Sequence, residues 1–257
     1  MPIEVSISPP SALLALSEVH RAVAEIAALK LSKKLLRRAP QGDGHPVMVL
    51  PGFMGDDGYN GPFRRFLSGC DYAVHGWGLG RNLGPGDGVL EGMLERLEFL
   101  HKRHERPVSL VGHSLGGIYA RELARELPHC VRQVISLGSP FGEGRLSASH
   151  LSHLFSRLNP PEDLPLDQSV LAEPPPVPTT AVYSRGDGVV NWKTSVQDRG
   201  HHDETESIRV VGSHCGMTMN PTIWFLVAER LAQASGDWKP FERKGWASVF
   251  YPAHIES

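Results

Sequence analysis

The sequence predicts an α/β fold in which helices cover both faces of a mostly parallel central sheet. Short runs of apolar, largely β-branched residues, such as 47–50 and 108–111, alternate with longer segments of helical periodicity, such as 115–126. Strands of this kind are buried on both faces, which is typical of parallel sheets between helices. With 257 residues, 40% of them apolar, the chain can bury the core of one such domain.

The predicted elements follow one another regularly between residues 46 and 234. Strands are predicted where short apolar runs are bounded by turn residues, and helices where apolar residues recur every three or four positions. The predicted strands lie at 47–50, 72–75, 108–111, 131–137, 180–183 and 208–211, and the predicted helices at 88–105, 115–126 and 221–234.

Residues 141–178 interrupt this order. The stretch lacks a strand pattern, has two weakly helical segments at 147–158 and 163–172, and contains three consecutive prolines at 174–176. An insertion of this length between two strands is uncommon unless it forms a lid or a binding element. We therefore expect a cap over the functional site, with a tolerated surface loop as the alternative.

Residues 1–45 precede the domain predicted for 46–257 and contain a predicted amphipathic helix at 10–38. Basic residues crowd the end of this helix, where positive charge suits the helix dipole. Its apolar side chains recur at steps of three or four and so share one face: Leu13, Leu16, Val19, Val23, Ile26 and Leu29. We expect this face to pack on the rest of the chain. Docking to a partner helix or to a membrane surface are the alternatives.

The composition argues against several classes of protein. The 26 Lys and Arg residues nearly balance the 28 Asp and Glu residues, so we expect no binding to nucleic acid. The N-terminus lacks a signal-peptide pattern, and no apolar run approaches the ~18 residues of a membrane span. This predicts a cytoplasmic protein without a transmembrane segment. Three cysteines without a CxxC spacing indicate reduced thiols, with one disulfide or a reactive Cys215 as alternatives.

A candidate nucleophile lies where a predicted strand meets a predicted helix. Residues 112–116 read Gly-His-Ser-Leu-Gly, the G-x-S-x-G pattern that places a serine on a tight turn between a strand and a helix. Ser114 would then project from the carboxyl end of its strand. A glycine-rich turn with an idle serine is the alternative, and a base and an acid farther along the chain would decide between the two.

A serine hydroxyl needs a base that takes its proton near neutral pH, and the pKa of histidine is suited to this task. The chain has 13 histidines. His214 follows the last predicted strand and precedes the last predicted helix, which places it at the same sheet edge as Ser114. We therefore assign the base to His214.

The base in turn needs an acid that holds its imidazole in one tautomer. Asp187 directly follows the predicted strand at 180–183, and the order serine, aspartate, histidine along the chain suits this assignment. Three rivals follow no predicted strand: Asp163, Asp167 and Asp203. The sequence therefore predicts a catalytic triad of Ser114, Asp187 and His214.

The negative oxygen that forms when a serine attacks a carbonyl needs backbone N–H donors already in place. One donor should be Leu115, the residue after the nucleophile. The second should come from the loop after strand 47–50, which reads Pro-Gly-Phe-Met-Gly at 51–55. We assign it to Phe53, with a simple strand-ending turn as the alternative for this loop.

Residues 112–117, 187–190 and 212–214 together resemble the motifs of bacterial lipase- and esterase-type α/β-hydrolases. The resemblance in element order covers about 46–234. It implies a three-layer α/β-hydrolase fold with a mostly parallel central sheet and an inserted lid. It also implies hydrolysis of carboxylic esters without a cofactor, and the chemistry calls for no metal. Many relatives carry His-Gly in the oxyanion loop, where this chain has Pro-Gly at 51–52, so a role for a histidine ring there is lost.

Apolar side chains near the predicted site favour an aliphatic or lipid-like ester as the small-molecule substrate. The predicted pocket residues are Met54, Trp77, Leu154, Phe155 and Leu158. A thioesterase or an acyltransferase could use the same triad with a different leaving group or acceptor. The alternative from another class is a non-catalytic protein that keeps the fold and binds a partner.

Overall fold

The computed structural model describes residues 7–145, 147–159, 170–197, 202–245 and 247–253, and these residues form six strands in one sheet. The strands are Pro46–Leu50 (β1), Ala73–Gly76 (β2), Val108–His113 (β3), Val131–Leu137 (β4), Thr179–Ser184 (β5) and Thr205–Val210 (β6). They are ordered β2-β1-β3-β4-β5-β6, and every neighbouring pair is parallel. The predicted parallel sheet is confirmed.

Helices connect these strands and pack on both faces of the sheet. Their bounds are Ala12–Leu31 (α1), Lys33–Leu36 (α2), Gly61–Ser68 (α3), Val89–His104 (α4), Leu115–Glu126 (α5), Ser152–Leu158 (α6), Pro221–Leu231 (α7) and Ala247–Phe250 (α8). The sequence did not predict α3, a short helix with a proline in its first turn, where the missing N–H of proline costs no helical hydrogen bond.

Two apolar cores separate the sheet from its helices. Successive residues of a strand point to opposite faces, and β1 shows the result. Val47 and Val49 join a core with apolar residues of α3 and α7, whereas Met48 and Leu50 join a second core with apolar residues of α4 and α5. The three layers predicted from the alternation of strands and helices follow from this division.

Helix α1 presents to the rest of the chain a face other than the predicted one. Four residues of the predicted packing stripe, Leu13, Leu16, Val19 and Val23, are 60–79% exposed. The opposite, polar face turns inward, and Glu18 is buried there. The expected packing of the apolar stripe is therefore wrong for most of its length. The physical reason is that backbone N–H groups of two loops face α1, and carboxylates satisfy such donors where apolar side chains cannot.

The described part of the segment 141–178 contains α6 and a single antiparallel bridge between Ser149 and Val190. Residues 170–172 form a turn. Most of the second predicted helical segment, residues 163–169, lies outside the described residues. The expected cap thus has one helix in the described part, anchored beside the loop that follows β5.

Two of the sequence predictions concern membrane-spanning helices and the state of the cysteines. None of the helices in the described ranges combines the length and the apolar character needed to cross a bilayer. Cys70, Cys130 and Cys215 are all free thiols, and the first two are buried.

Candidate active site

All three predicted triad residues lie at the carboxyl edge of the sheet. Ser114 directly follows β3, Asp187 lies three residues after β5, and His214 lies four residues after β6. Because the strands are parallel, their carboxyl ends meet at one edge. The chain also reverses direction across the sheet between β1 and β3, and ligands of open α/β sheets bind at such a switch point.

Ser114 occupies a strained turn between β3 and α5. Its φ of 52° and ψ of −121° lie in a region that residues with a side chain rarely adopt. The turn is also crowded, because a Cβ at Gly112 would collide with the carbonyl of Gly116, and one at Gly116 with the carbonyl of Leu50. A hydrogen bond from the Ser114 N–H to the Leu137 carbonyl, 2.8 Å, holds the turn against β4. This is the conformation expected of a nucleophile elbow.

Asp187 and His214 form a buried, directly bonded pair. Asp187 Oδ2 lies 2.6 Å from His214 Nδ1. The other carboxylate oxygen, Oδ1, accepts the backbone N–H groups of Val189 and Val190 at 2.9 and 2.7 Å. These two donors fix the rotation of the carboxylate, so that one oxygen faces the imidazole and holds its proton on Nδ1.

The pKa of His214 lies above the usual value for histidine. Burial by itself lowers it, but the attraction and hydrogen bond of Asp187, with the charge of Glu18, more than offset that effect. The neighbouring His113 behaves in the opposite way: its burial, with repulsion from His214, lowers its pKa to about 3. His113 is therefore neutral, and its Nε2–H donates to the His214 carbonyl at 3.0 Å. This bond ties the predicted base to the residue before Ser114.

No hydrogen bond between the Ser114 hydroxyl and the His214 imidazole is present among the described residues. Bonds between a nucleophile and its base are often long until substrate is bound. The structure thus brings Asp187 and His214 into direct contact, and His113, the residue before Ser114, bonds the backbone of His214.

The two predicted oxyanion donors border Ser114. Leu115 is the first residue of α5, so its N–H has no acceptor within the helix. The loop with Phe53 lies against the elbow, since a Cβ at Gly52 would lie 3.1 Å from Ser114 Cβ. The N–H groups on the far side of Phe53, those of Met54 and Gly55, donate to other carbonyls. The N–H of Phe53 makes no hydrogen bond within the described part of the chain.

A pocket of about 820 Å³, including the open space at its mouth, lies over Ser114. Its wall is mostly apolar and includes Phe53, Leu115, Ile118, Leu151, Phe155, Leu171 and Val190. Phe53 and Phe155 meet edge to face, with ring centroids 5.5 Å apart. This contact joins the loop of Phe53 to the predicted cap, so both contribute to one wall of the pocket.

Of the five predicted pocket residues, Phe155 lines this pocket and the other four do not. Trp77, which directly follows β2, is buried in the core and stacked on the ring of Tyr119. Leu154 and Leu158 of α6 are 45% and 52% exposed. Met54 has a positive φ and is 48% exposed.

The described ranges contain no group of three or more His, Cys, Asp or Glu side chains that could hold a metal ion. His202 instead contacts the Pro175 carbonyl at 3.0 Å, and the neighbouring Asp203 is exposed. Asp203, the rival for the acid role, lies in a turn before β6. Two other rivals, Asp163 and Asp167, lie outside the described residues.

The sequence matches no protein-family model and no curated protein. Solved structures, in contrast, share its architecture. An α/β superfamily hydrolase from Oenococcus oeni PSU-1 superposes with a TM-score of 0.58 at 18% sequence identity, over 75% of this chain and 94% of that one. The chain has the α/β-hydrolase fold.

Two lipases also share the α/β-hydrolase fold with this chain. Lipase B of Aspergillus fumigatus superposes with a TM-score of 0.57 at 17% identity over 80% of this chain, which spans only 58% of that lipase. The monoacylglycerol lipase of Paleococcus ferrophilus superposes with a TM-score of 0.55 at 14% identity, over 76% of this chain and 96% of that one. At these identities the likeness establishes the fold alone.

Two residues that the sequence analysis did not identify make hydrogen bonds to the loops of the candidate site. Asn82 is buried beside the loop that contains Phe53: its Nδ2 donates to the Pro51 carbonyl at 2.8 Å, and its backbone carbonyl accepts the Met54 N–H at 2.7 Å. Glu18 of α1 bonds the loops of Asp187 and His214. Neither residue lies in a sequence motif. The one signal that could have identified Glu18 is its position on the polar face of the predicted helix.

Proposed function

We propose that the chain is a serine hydrolase that cleaves carboxylic esters through an acyl-enzyme. The observation that carries this proposal is the 2.6 Å bond between Asp187 and His214 beside the strained turn of Ser114. Loop aspartates and histidines are common, but a buried pair of them at the same sheet edge as a half-buried elbow serine that borders a pocket suits nucleophilic catalysis.

The arrangement supports a two-step mechanism. His214 takes the proton of Ser114 as the hydroxyl attacks the ester carbonyl, while Asp187 stabilises the imidazolium that forms. The N–H groups of Phe53 and Leu115 stabilise the tetrahedral oxyanion. The alcohol leaves with the proton from His214, and water then cleaves the acyl-enzyme by the same steps in reverse.

The pocket wall supports an aliphatic acyl group as the part of the substrate that binds there. Most of the residues that line it are apolar, and Leu115, one of them, directly follows Ser114. Pockets of this kind hold apolar ligand surface, while a few polar groups set the orientation. The proposed substrate class is therefore an aliphatic or lipid-like ester.

Labelling with a fluorophosphonate probe tests the proposed nucleophile directly. We expect wild-type protein to label at Ser114 and the variant Ser114→Ala to remain unlabelled while folded. A panel of p-nitrophenyl esters from acetate to palmitate, with one acyl thioester, then measures the substrate class. Protein that neither labels nor turns over any of these would instead be a non-catalytic protein with this fold.

A further inference from the structure

The inward face of α1 bonds both loops that carry the proposed acid and base. Glu18 Oε1 accepts the N–H of Gly188 at 2.7 Å and the N–H of His214 at 3.1 Å, and Oε2 accepts the N–H of Cys215 at 3.0 Å. Gly188 directly follows Asp187 in the acid loop. One buried carboxylate therefore joins the backbone beside the acid to the backbone of the base itself.

A second side chain of α1 extends this bridge. Arg21 pairs with Glu18 at 2.8 Å and donates to the Gly186 carbonyl, on the other side of Asp187. The helix backbone also lies close to the loop, because a Cβ at Gly188 would collide with the Leu14 carbonyl. Contacts with α1 therefore lie on both sides of Asp187, at Gly186 and at Gly188. Helix α1 precedes the domain predicted for residues 46–257.

We propose that Glu18 is a positioning residue for the reaction, acting through Asp187 and His214. This role rests on the proposed function. The three backbone donors to this carboxylate lie in two loops, Gly188 in one and His214 and Cys215 in the other. Removal of the carboxylate therefore takes away three of the hydrogen bonds that hold the two loops in a fixed relation. The distance between Asp187 Oδ2 and His214 Nδ1 depends on that relation.

The charge of Glu18 also affects the base. Burial raises the pKa of Glu18, but the three backbone bonds and Arg21 outweigh this and lower it, so the side chain is ionised at neutral pH. Asp187 and Glu18 are the anions facing His214, and His113 and Cys215 are its neutral neighbours. Two other titratable side chains bond the backbone on either side of His214. Glu25 accepts from the Ser213 N–H, and Tyr59 donates to the Cys215 carbonyl.

The variants Glu18→Gln and Glu18→Ala separate the charge from the bridge. Glutamine keeps an oxygen for Gly188 and His214 but loses the charge and cannot accept from Cys215. We expect kcat for an ester to fall about tenfold to a hundredfold, since small displacements of catalytic groups cost this much. KM should stay near wild type, because Glu18 does not line the pocket.

The pH profile of kcat/KM distinguishes positioning from a purely structural role. Glu18 raises the pKa of His214, so its replacement by Gln should lower that pKa and move the acid limb of the profile to lower pH. His20→Ala, on the exposed side of α1, is the matched control and should leave kcat and the profile unchanged. Glu18→Asp, which keeps the charge on a shorter side chain, should restore the limb.

The kcat and pH profile of the folded variants decide whether Glu18 has this role. Folded Glu18→Gln and Glu18→Ala proteins with wild-type kcat and pH profile would overturn the role, and so would a loss of activity that only tracks a lower Tm. If Glu18→Ala does not fold, the Gln and Asp variants decide. Wild-type protein that neither labels with fluorophosphonate nor cleaves esters would contradict the proposed function instead. NMR titration of His214 in wild type and Glu18→Gln would then still measure the effect of Glu18 on its pKa.

Discussion

Replacing Asp187 with asparagine tests the proposed triad at the hydrogen bond between Asp187 and His214. The N–H groups of Val189 and Val190 point at Oδ1, at 2.9 and 2.7 Å, while Oδ2 faces His214. In Asp187→Asn the two backbone donors will retain the amide oxygen, because an NH₂ group cannot accept from them. The NH₂ group must then face Nδ1 of His214 and donate to it. The imidazole proton consequently moves to Nε2.

An imidazole with its proton on Nε2 cannot take the proton of Ser114. In a serine-protease triad the same substitution lowers kcat by about 10⁴-fold, which corresponds to roughly 5 kcal/mol in the activation barrier. We expect a loss of this order here, since Asp187 is only 3% exposed and water has little access to replace it.

The substitution should also move the pH dependence. His214 acts as a base only when neutral, and in wild type its pKa is raised: burial lowers it, but Asp187 and Glu18 more than offset this. Wild-type activity should therefore fall, as pH decreases, through a pKa above that of an ordinary histidine. Loss of the Asp187 charge should move this acid limb to lower pH in the residual activity of the variant.

The assay is kcat and KM for p-nitrophenyl butyrate across the titration range of histidine, with circular dichroism and Tm to verify folding. Asp203→Asn, a change in an exposed turn, is the matched control and should behave as wild type. A folded Asp187→Asn enzyme that retained kcat within about tenfold of wild type would refute the assigned role. The same loss in Asp203→Asn would assign the acid role to that residue.

Three further predictions address the nucleophile, the pocket and α1. The double variant Ser114→Ala/His214→Ala should be little slower than either single variant, because triad residues act as a unit; additive losses measured with the butyrate ester would contradict this. Leu151→Trp should lower kcat/KM about tenfold more for octanoate than for acetate, because Leu151 lines the pocket, whereas Leu158→Trp outside it should affect both equally. Leu16→Ser should change the free energy of unfolding by no more than about 0.5 kcal/mol in urea titrations, because Leu16 is 79% exposed; a larger loss would mean that the apolar stripe is covered.

The parallel sheet was predictable because its signals are local. Each strand is a short apolar run, and burial on both faces follows from that composition without knowledge of distant residues. The elbow was predictable for the same reason. Gly112 and Gly116 mark a turn too crowded for a Cβ, and the structure shows the carbonyls with which one would collide.

The inner face of α1 was not predictable from periodicity. A stripe such as Leu13 to Val23 predicts burial when the partner surface is apolar. Here the partner surface presents backbone N–H groups of two loops, and these groups donate to Glu18. The pocket prediction failed at Leu154 and Leu158 for a related reason, because the faces of α6 could not be assigned before the position of its neighbours was known.

The sequence by itself determined the order of the strands along the chain, the serine elbow and the loops at which an acid and a base could lie. Those features depend on residues close together in the chain. Only the tertiary structure decided that Asp187 turns one oxygen to His214, that Asn82 bonds the loop of Phe53, and that Glu18 joins the loops of Asp187 and His214. Each of these contacts links segments far apart in sequence, and their geometry depends on how the whole chain packs.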